Sequence, residues 1–165
     1  MPEKQTVEKA KRARREGKAP STQAGEFVRE EVHHVREGKH GARSTKQAIA
    51  IGLSKARRAG VDLPPPPKGT VSEKTRRSAE RARKSGQRGH TKTSSRRSKA
   101  TKRALKHESR RAASKKELSK QARSAARRRR PSERKSAAKR AARTKGRSGR
   151  SAAARKAART GARRG

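Results

Sequence analysis

Metal binding is the first chemistry that the side chains of this sequence allow, through His33, Glu37 and His40. Imidazole and carboxylate groups are ordinary ligands of Zn²⁺. His33 and Glu37 are four residues apart, so a helix would place them on one face. However, His40 lies beyond Gly38, where we expect the helix to end, and no fourth ligand is obvious nearby. We therefore interpret His33 and His34 as polar-face residues beside glutamates, and we predict neither a metal site nor a cofactor.

Enzymatic chemistry has little support in the sequence. The chain contains no cysteine, so disulfides, thiolate nucleophiles and thiolate metal sites are excluded. Its motifs include no Gly-rich phosphate loop and no nucleophile elbow. The serines are scattered among arginines, which suits phosphoacceptors or spacers better than nucleophiles. We expect a protein that is not an enzyme and has no small-molecule substrate.

Positive charge dominates the composition. The 165 residues include 53 Lys and Arg against 13 Asp and Glu, which gives a formal net charge of +40. Such a chain favours a polyanion as its partner, because Lys and Arg neutralise phosphates and release their counterions. A single aromatic residue argues against a reader that stacks bases. Of the ways to bind nucleic acid, this leaves contact with the backbone of duplex DNA, which includes insertion of arginine into the minor groove.

The charge is distributed unevenly along the chain. Residues 68–165 hold 38 basic and five acidic residues, whereas residues 1–67 hold 15 and eight. We select the densest basic positions as candidate contacts to nucleic-acid phosphates. They are Arg57, Arg58, Arg76, Arg77, Arg96, Arg97, Lys102, Arg103, Arg110, Arg111, Arg127, Arg128, Arg129, Arg130, Lys139, Arg140, Arg143, Arg155, Lys156 and Arg159.

Large apolar side chains are concentrated between residues 26 and 63, which hold nine of the 14 Val, Ile, Leu, Phe and Met residues. Helical spacing predicts a first helix over about 25–37. A capping-box pattern from Ser44 to Gln47, with Gly60 as the terminal residue, predicts a second over about 45–59. The result is a helical hairpin. Its predicted core is Phe27, Val28, Val32, Val35, Ile49, Ile51 and Leu53.

The composition predicts a mostly disordered chain with this small all-α element as its only fold. With 25% hydrophobic residues, burial cannot offset the conformational entropy of the whole chain. Units below ~40 residues usually need a metal, a disulfide or a partner, so we expect the hairpin to self-associate or to order on nucleic acid. Helical patches over 71–84 and about 98–129 should stay unfolded until phosphates neutralise them.

Four segments follow from this interpretation. Residues 1–24 form a charged N-terminal arm with no docking surface, and residues 25–63 form the hairpin. Residues 64–67 are a polyproline spacer, and residues 68–165 form a disordered or transiently helical tail that is rich in Lys, Arg and Ala. The chain lacks an apolar run long enough to span a membrane, and the arm lacks the apolar core of a secretory signal, so we expect no membrane partner.

The segment KHGARSTKQAIAIGLSKARRAG, residues 39–60, resembles the core of a family of small, basic bacterial proteins classed as a domain of unknown function. Residues 46–56 match the common element K-Q-A-[IV]-A-I-[AG]-L-S-x-A nearly residue by residue. This resemblance implies a bacterial origin and a small helical unit, with no established chemistry. The C-terminal tail resembles the tails of linker histones and bacterial histone-like proteins, which implies only a mode of binding.

These features predict a non-enzymatic, histone-like protein that binds DNA largely without regard to sequence, in the nucleoid of the bacterial cytoplasm. One alternative is an RNA-binding or ribosome-associated basic protein. Another is a protein-interaction module in which Val28, Val32, Ile49 and Leu53 dock a partner while the basic tail localises it.

Overall fold

The structure is a computed structural model that describes residues 2–89 and 94–139, with the single residues Ala142 and Ala158. Its helices are α1 (Lys4–Arg15), α2 (Pro20–Arg36), α3 (Thr45–Arg58), α4 (Glu73–Gln87), α5 (Ser95–Lys106), a 3₁₀ turn (Arg110–Ala113) and α6 (Lys115–Arg128). Residues 131–139 are also helical, and no described residue is in a strand. The prediction of a mostly disordered chain was wrong, because these helices form a small bundle over the described residues up to Gln121. Residues from Ala122 onward belong to a second unit.

The predicted hairpin is present as α2 and α3. Helix α2 begins at Pro20, earlier than predicted, because proline suits a first turn, where its missing N–H needs no partner. Helix α3 begins at Thr45 and is capped by Ser44, whose Oγ accepts from the backbone N–H of Gln47 at 3.2 Å, as the capping-box pattern predicted. At its other end Gly60 adopts a positive φ of 88°, and the Val61 N–H donates to the carbonyl of Ala56 at 3.1 Å.

Small residues form the contact between α2 and α3. Ala48, Gly52 and Ala56 follow one another at four-residue intervals on α3 and are buried. A Cβ on Gly52 would lie 2.7 Å from the Cα of Val28, so the two backbones approach closely there. Of the predicted core, Phe27, Val32 and Val35 are buried, whereas Val28, Ile49, Ile51 and Leu53 are half-buried beside this contact.

The N-terminal arm also packs. Val7 and Ala10 of α1 join a cluster around Phe27, which Ala24, Ala56 and Val61 complete. The expectation of an arm with nothing to dock was wrong, because alanines bring α1 close enough to α2 for one large side chain to fill the space between them.

The described residues of the basic region between 68 and 121 are part of the same bundle. Helix α4 packs on α3 and buries Ala79 and Ala82. Farther along, Ala112 and Ala113 of the 3₁₀ turn join Val32 and Val35 in a second core cluster. The Thr45 hydroxyl donates to the carbonyl of Ala112 at 2.6 Å. Tertiary contacts therefore order residues that composition alone predicted to be unfolded.

The single helix predicted over about 98–129 is interrupted. Ser109 Oγ accepts from the N–H of Arg111 at the start of the 3₁₀ turn. Ser114 Oγ accepts from the N–H of Glu117 and caps α6. These local caps compete with a continuous helix and divide it in two. No helix within the described residues is long and apolar enough to cross a membrane.

Candidate nucleic-acid interface

Helix α5 carries six cations and no acidic residue in the sequence SRRSKATKRALK. Alanine, lysine and arginine are good helix formers, which accounts for a regular helix despite the repulsion. At 3.6 residues per turn, five of the cations fall within an arc of about 120°. We call these five the basic face of α5: Arg96, Lys99, Lys102, Arg103 and Lys106, all of them exposed.

The basic face has no internal counter-charge. Within the described part of the chain, no carboxylate forms an ion pair with any cation of α5. In α4, by contrast, Arg76 and Arg77 lie 3.4 and 3.5 Å from the carboxylate of Glu73, and Lys84 lies 3.2 Å from that of Glu80. Among the described residues, the charge of α5 is therefore left without an acidic partner, whereas α4 neutralises part of its own.

Helix α5 is fastened at its C-terminal end. The N–H of Gly41 donates to the carbonyl of Leu105 at 2.8 Å, and the N–H of Ala42 donates to that of Ser109 at 3.0 Å. Leu105 lies outside the basic face, about 60° around the helix from Lys102. It is half-buried, and no residue of α5 is fully buried. The helix is thus held by one end, and its basic face is open to solvent over about 15 Å.

Apart from Arg57, the remaining predicted contacts fall into three groups. Exposed positions are Arg58, Arg77, Arg97, Arg110, Arg111, Arg127, Arg128, Arg129, Arg130 and Lys139, and Arg76 is half-buried. Arg140, Arg143, Arg155, Lys156 and Arg159 lie outside the described residues. Lys99 and Lys106 were missed, because the selection used the density of charge along the sequence. The helical spacing of the cations would have identified them.

Arg57 alone among the selected residues within the described ranges is buried, at 6% exposure. Its guanidinium donates to the carbonyls of Leu63 and Pro64 at 3.1 and 3.0 Å. Burial lowers the pKa of Arg57 from its ordinary value. This side chain fastens the start of the proline run to α3 and offers no charge to a surface ligand.

A second group of titratable residues lies between α2 and α3. The Glu31 carboxylate is fully buried, with Lys55 Nζ 2.6 Å from Oε2 and His40 Nε2 3.2 Å from Oε1. His34 Nε2 donates to the Glu3 carboxylate at 2.9 Å. The hydrogen bonds from His34 and then from Lys39 lower the pKa of Glu3.

The histidine and carboxylate grouping differs from the one weighed in the sequence. His33 and Glu37 are exposed, and Glu37 pairs with Lys39 at 3.1 Å. The structure instead brings Glu31, His34 and His40 together. The buried row Ala24, Phe27, Glu31 and Val35, at helical spacing, was the signal that could have placed Glu31 inside.

Comparison with known proteins gives one match. Residues 3–68 match the model of the Family of unknown function (DUF6496). This confirms the recognition of a domain of unknown function, and the matched region includes residues 39–60, which carried the resemblance. No curated protein and no solved structure matches the chain.

Proposed function

We propose that this chain, of which residues 3–68 match a family of unknown function, binds the backbone of duplex DNA with little regard to base sequence and catalyses no reaction. The observation that carries the proposal is the basic face of α5, which places five exposed cations on one side of a helix with no acidic partner among the described residues. Lysine and arginine placed in this way neutralise phosphates and release counterions on binding.

Backbone contact, rather than recognition of bases by stacking, follows from the aromatic content. Phe27 is the only Phe, Tyr or Trp in the chain, and it is fully buried. The protein therefore offers no such ring on which an unpaired base could stack. Proteins that bind single strands or RNA loops usually depend on such rings, whereas contact with duplex phosphates does not.

Duplex DNA suits the shape of α5 better than duplex RNA does. An α-helix with its side chains is about 10–12 Å across, and the major groove of B-DNA is about 12 Å wide. The major groove of A-form RNA is deep and too narrow for side chains to enter. A helix held at one end, with cations along an open face, would reach the phosphates that border the groove of DNA. In a bacterial cell this binding would place the protein on the nucleoid.

The interaction-module alternative has weaker support. It needs an apolar face, but Val32 is buried, and Val28, Ile49 and Leu53 are half-buried within the bundle. Val71 is the one exposed large hydrophobic residue in the described ranges. The same burial weakens the proposal of self-association through the hairpin.

A salt titration on a 30-bp duplex tests the proposal. If about ten phosphates are contacted, log K should fall against log salt with a slope near −9, a loss of roughly 10⁵ in affinity between 50 and 200 mM. A slope shallower than about −3 would contradict an extended backbone contact. Competition with RNA of the same sequence separates the alternatives, because the groove argument predicts weaker competition by duplex RNA. Stronger competition by RNA would favour the ribosome-associated or RNA-binding alternative.

A further inference from the structure

We infer that Glu31, His34 and His40 form a site for a divalent transition-metal ion of the zinc type. One ligand atom from each residue lies within 4.8 Å of the other two. Glu31 and His34 are three residues apart on α2, a spacing that places them on one face, and His40 lies in the connection to α3. The site uses no residue of the basic face of α5, so it stands independently of the DNA-binding proposal.

The buried carboxylate of Glu31 is suited to bind a cation. Its exposure is 0%, and neither oxygen has a hydrogen-bond partner of proper geometry among the described residues. Its charged neighbours are Lys55, 2.6 Å from Oε2, and His40, 3.2 Å from Oε1. A buried acceptor without hydrogen bonds is costly, so Oε1 in particular is suited to a ligand.

The tautomer of His40 makes its other nitrogen available. Nδ1 lies 3.0 Å from the carbonyl oxygen of Gly41, which can only accept, so Nδ1 carries the proton. In the neutral ring Nε2 is then a lone-pair donor facing Glu31 Oε1. The lone pairs of His40 Nε2 and Glu31 Oε1 repel each other at 3.2 Å unless a cation, either a proton or a metal ion, lies between them. A backbone carbonyl that orients the far nitrogen is a usual feature of metal-bound histidine.

The charge around the site favours a divalent ion over a proton. Glu30 and Glu31 are both buried, and Lys55 lies 4.0 and 2.6 Å from their carboxylates. The other groups near the Glu30 carboxylate are the backbone N–H of Glu3 at 3.3 Å and His34 Nε2 at 3.9 Å, so Lys55 is the one ammonium that faces both negative charges. On the outer side Lys39 lies 3.4 Å from the carboxylate of Glu3 and 3.1 Å from that of Glu37, so these residues add no net positive charge. A divalent ion bound to Glu31 Oε1 would compensate the excess of buried negative charge, and Lys55 would remain paired with Oε2.

The dimensions suit tetrahedral Zn²⁺ with an open fourth position for water. Bonds of about 2.0–2.1 Å place tetrahedral donors about 3.4 Å apart. His40 Nε2 and Glu31 Oε1 are already 3.2 Å apart. The other separations lie within 4.8 Å, so His34, whose side chain is 13% exposed, would rotate inward to complete the site. Because Nε2 of His34 donates to Glu3, His34 would ligate through Nδ1. Two imidazoles and a carboxylate without thiolates suit Zn²⁺ better than Mg²⁺ or Ca²⁺.

Titration of Zn²⁺ into the full chain at pH 7.5, read by calorimetry with a competing chelator, tests the site. The wild type should bind one equivalent tightly, and His40→Ala and His34→Ala should each weaken it by at least tenfold. His33→Ala is the matched control, since His33 is the exposed neighbour of His34, and it should bind as the wild type does. No saturable binding to the wild type, or equal losses in all three variants, would overturn the proposal.

Two further readouts keep the result independent of folding. Far-UV circular dichroism of His40→Ala and His34→Ala should match the wild type without metal, so that lost binding reflects the ligand and not the fold. In NMR spectra of the wild type with Zn²⁺, Nε2 of His40 should carry no proton and should shift on metal addition. A His40 ring that stays doubly protonated in the presence of Zn²⁺ would show that a proton bridges it to Glu31 and would overturn the metal site.

Discussion

Replacement of Gly52 by alanine tests whether α2 and α3 pack as closely as the structure shows. The added Cβ would lie 2.7 Å from the Cα of Val28 and 3.0 Å from the carbonyl oxygen of Phe27, both on the backbone of α2. Overpacking of this kind costs about 1–3 kcal/mol. Alanine also favours a helix over glycine by about 1 kcal/mol. We therefore expect Gly52→Ala to lower the free energy of unfolding by up to about 2 kcal/mol.

Gly25→Ala is the matched control for this substitution. Gly25 is also inside a helix, but no atom lies within 4 Å of its added Cβ, so only the gain in helix propensity remains. The difference between the two variants isolates the contact at about 1–3 kcal/mol, or about 2–4 °C in Tm for each kcal/mol. Urea unfolding followed by circular dichroism measures both. Equal stabilisation by the two substitutions would refute the close approach of α2 to α3.

Three further predictions concern single contacts. Thr45→Val should cost about 1–3 kcal/mol in urea unfolding, because the buried carbonyl of Ala112 loses its donor, and an unchanged midpoint would argue against the docked 3₁₀ turn. Arg57→Ala should lower the free energy of unfolding clearly, whereas Arg58→Ala, at the exposed neighbouring position, should hardly change it. Equal effects of the two substitutions would contradict the structural role of the buried Arg57 side chain. A hydrogen bond from Arg83 lowers the pKa of Asp62 below its ordinary 3.8. The small stability difference between wild type and Asp62→Asn should therefore be complete above pH 3.8 and disappear as the pH falls through the folded-state pKa, and a difference that persists in acid would contradict the pairing.

Local signals in the sequence predicted the ends of α3 well. The Ser44 cap and the terminal Gly60 act through hydrogen bonds within a few residues, so their effect does not depend on the rest of the fold. The start of α2 was missed because Pro20 can lie either in the first turn of a helix or just beyond the end of the preceding one. A proline is compatible with both positions, and only the packing of α2 decides between them.

Tertiary order was missed because the core consists mainly of alanine. Within the described residues, ten of the 14 buried hydrophobic residues are alanines, which counting Val, Ile, Leu, Phe and Met overlooks. Alanine and glycine bury little area each, but they let helix backbones approach and gain dispersion contacts. The same low aliphatic content that predicted disorder is therefore compatible with a close-packed bundle.

The candidate interface was predicted only in part. Arg96, Lys102 and Arg103 were selected from the density of charge, and they lie on the basic face of α5. The density of charge could not show that Arg57 is buried, because its hydrogen-bond partners are backbone carbonyls of the segment that follows α3. The grouping of Glu31, His34 and His40 depends on the conformation of the connection between α2 and α3, and no local sequence pattern predicts that conformation.

The central claim is that the basic face of α5 holds the DNA backbone. The measurement is the salt dependence of binding to a 30-bp duplex after all five of its cations are replaced by glutamine. The control replaces three lysines and two arginines of α1 and so removes the same charge: Lys4, Lys9, Lys11, Arg14 and Arg15.

Five lost phosphate contacts should make the slope of log K against log salt shallower by about 4.5 in the α5 variant. The α1 variant should keep most of the wild-type slope, and circular dichroism should show both variants folded. Equal slopes in the two variants, or an unchanged slope in the α5 variant, would contradict the account.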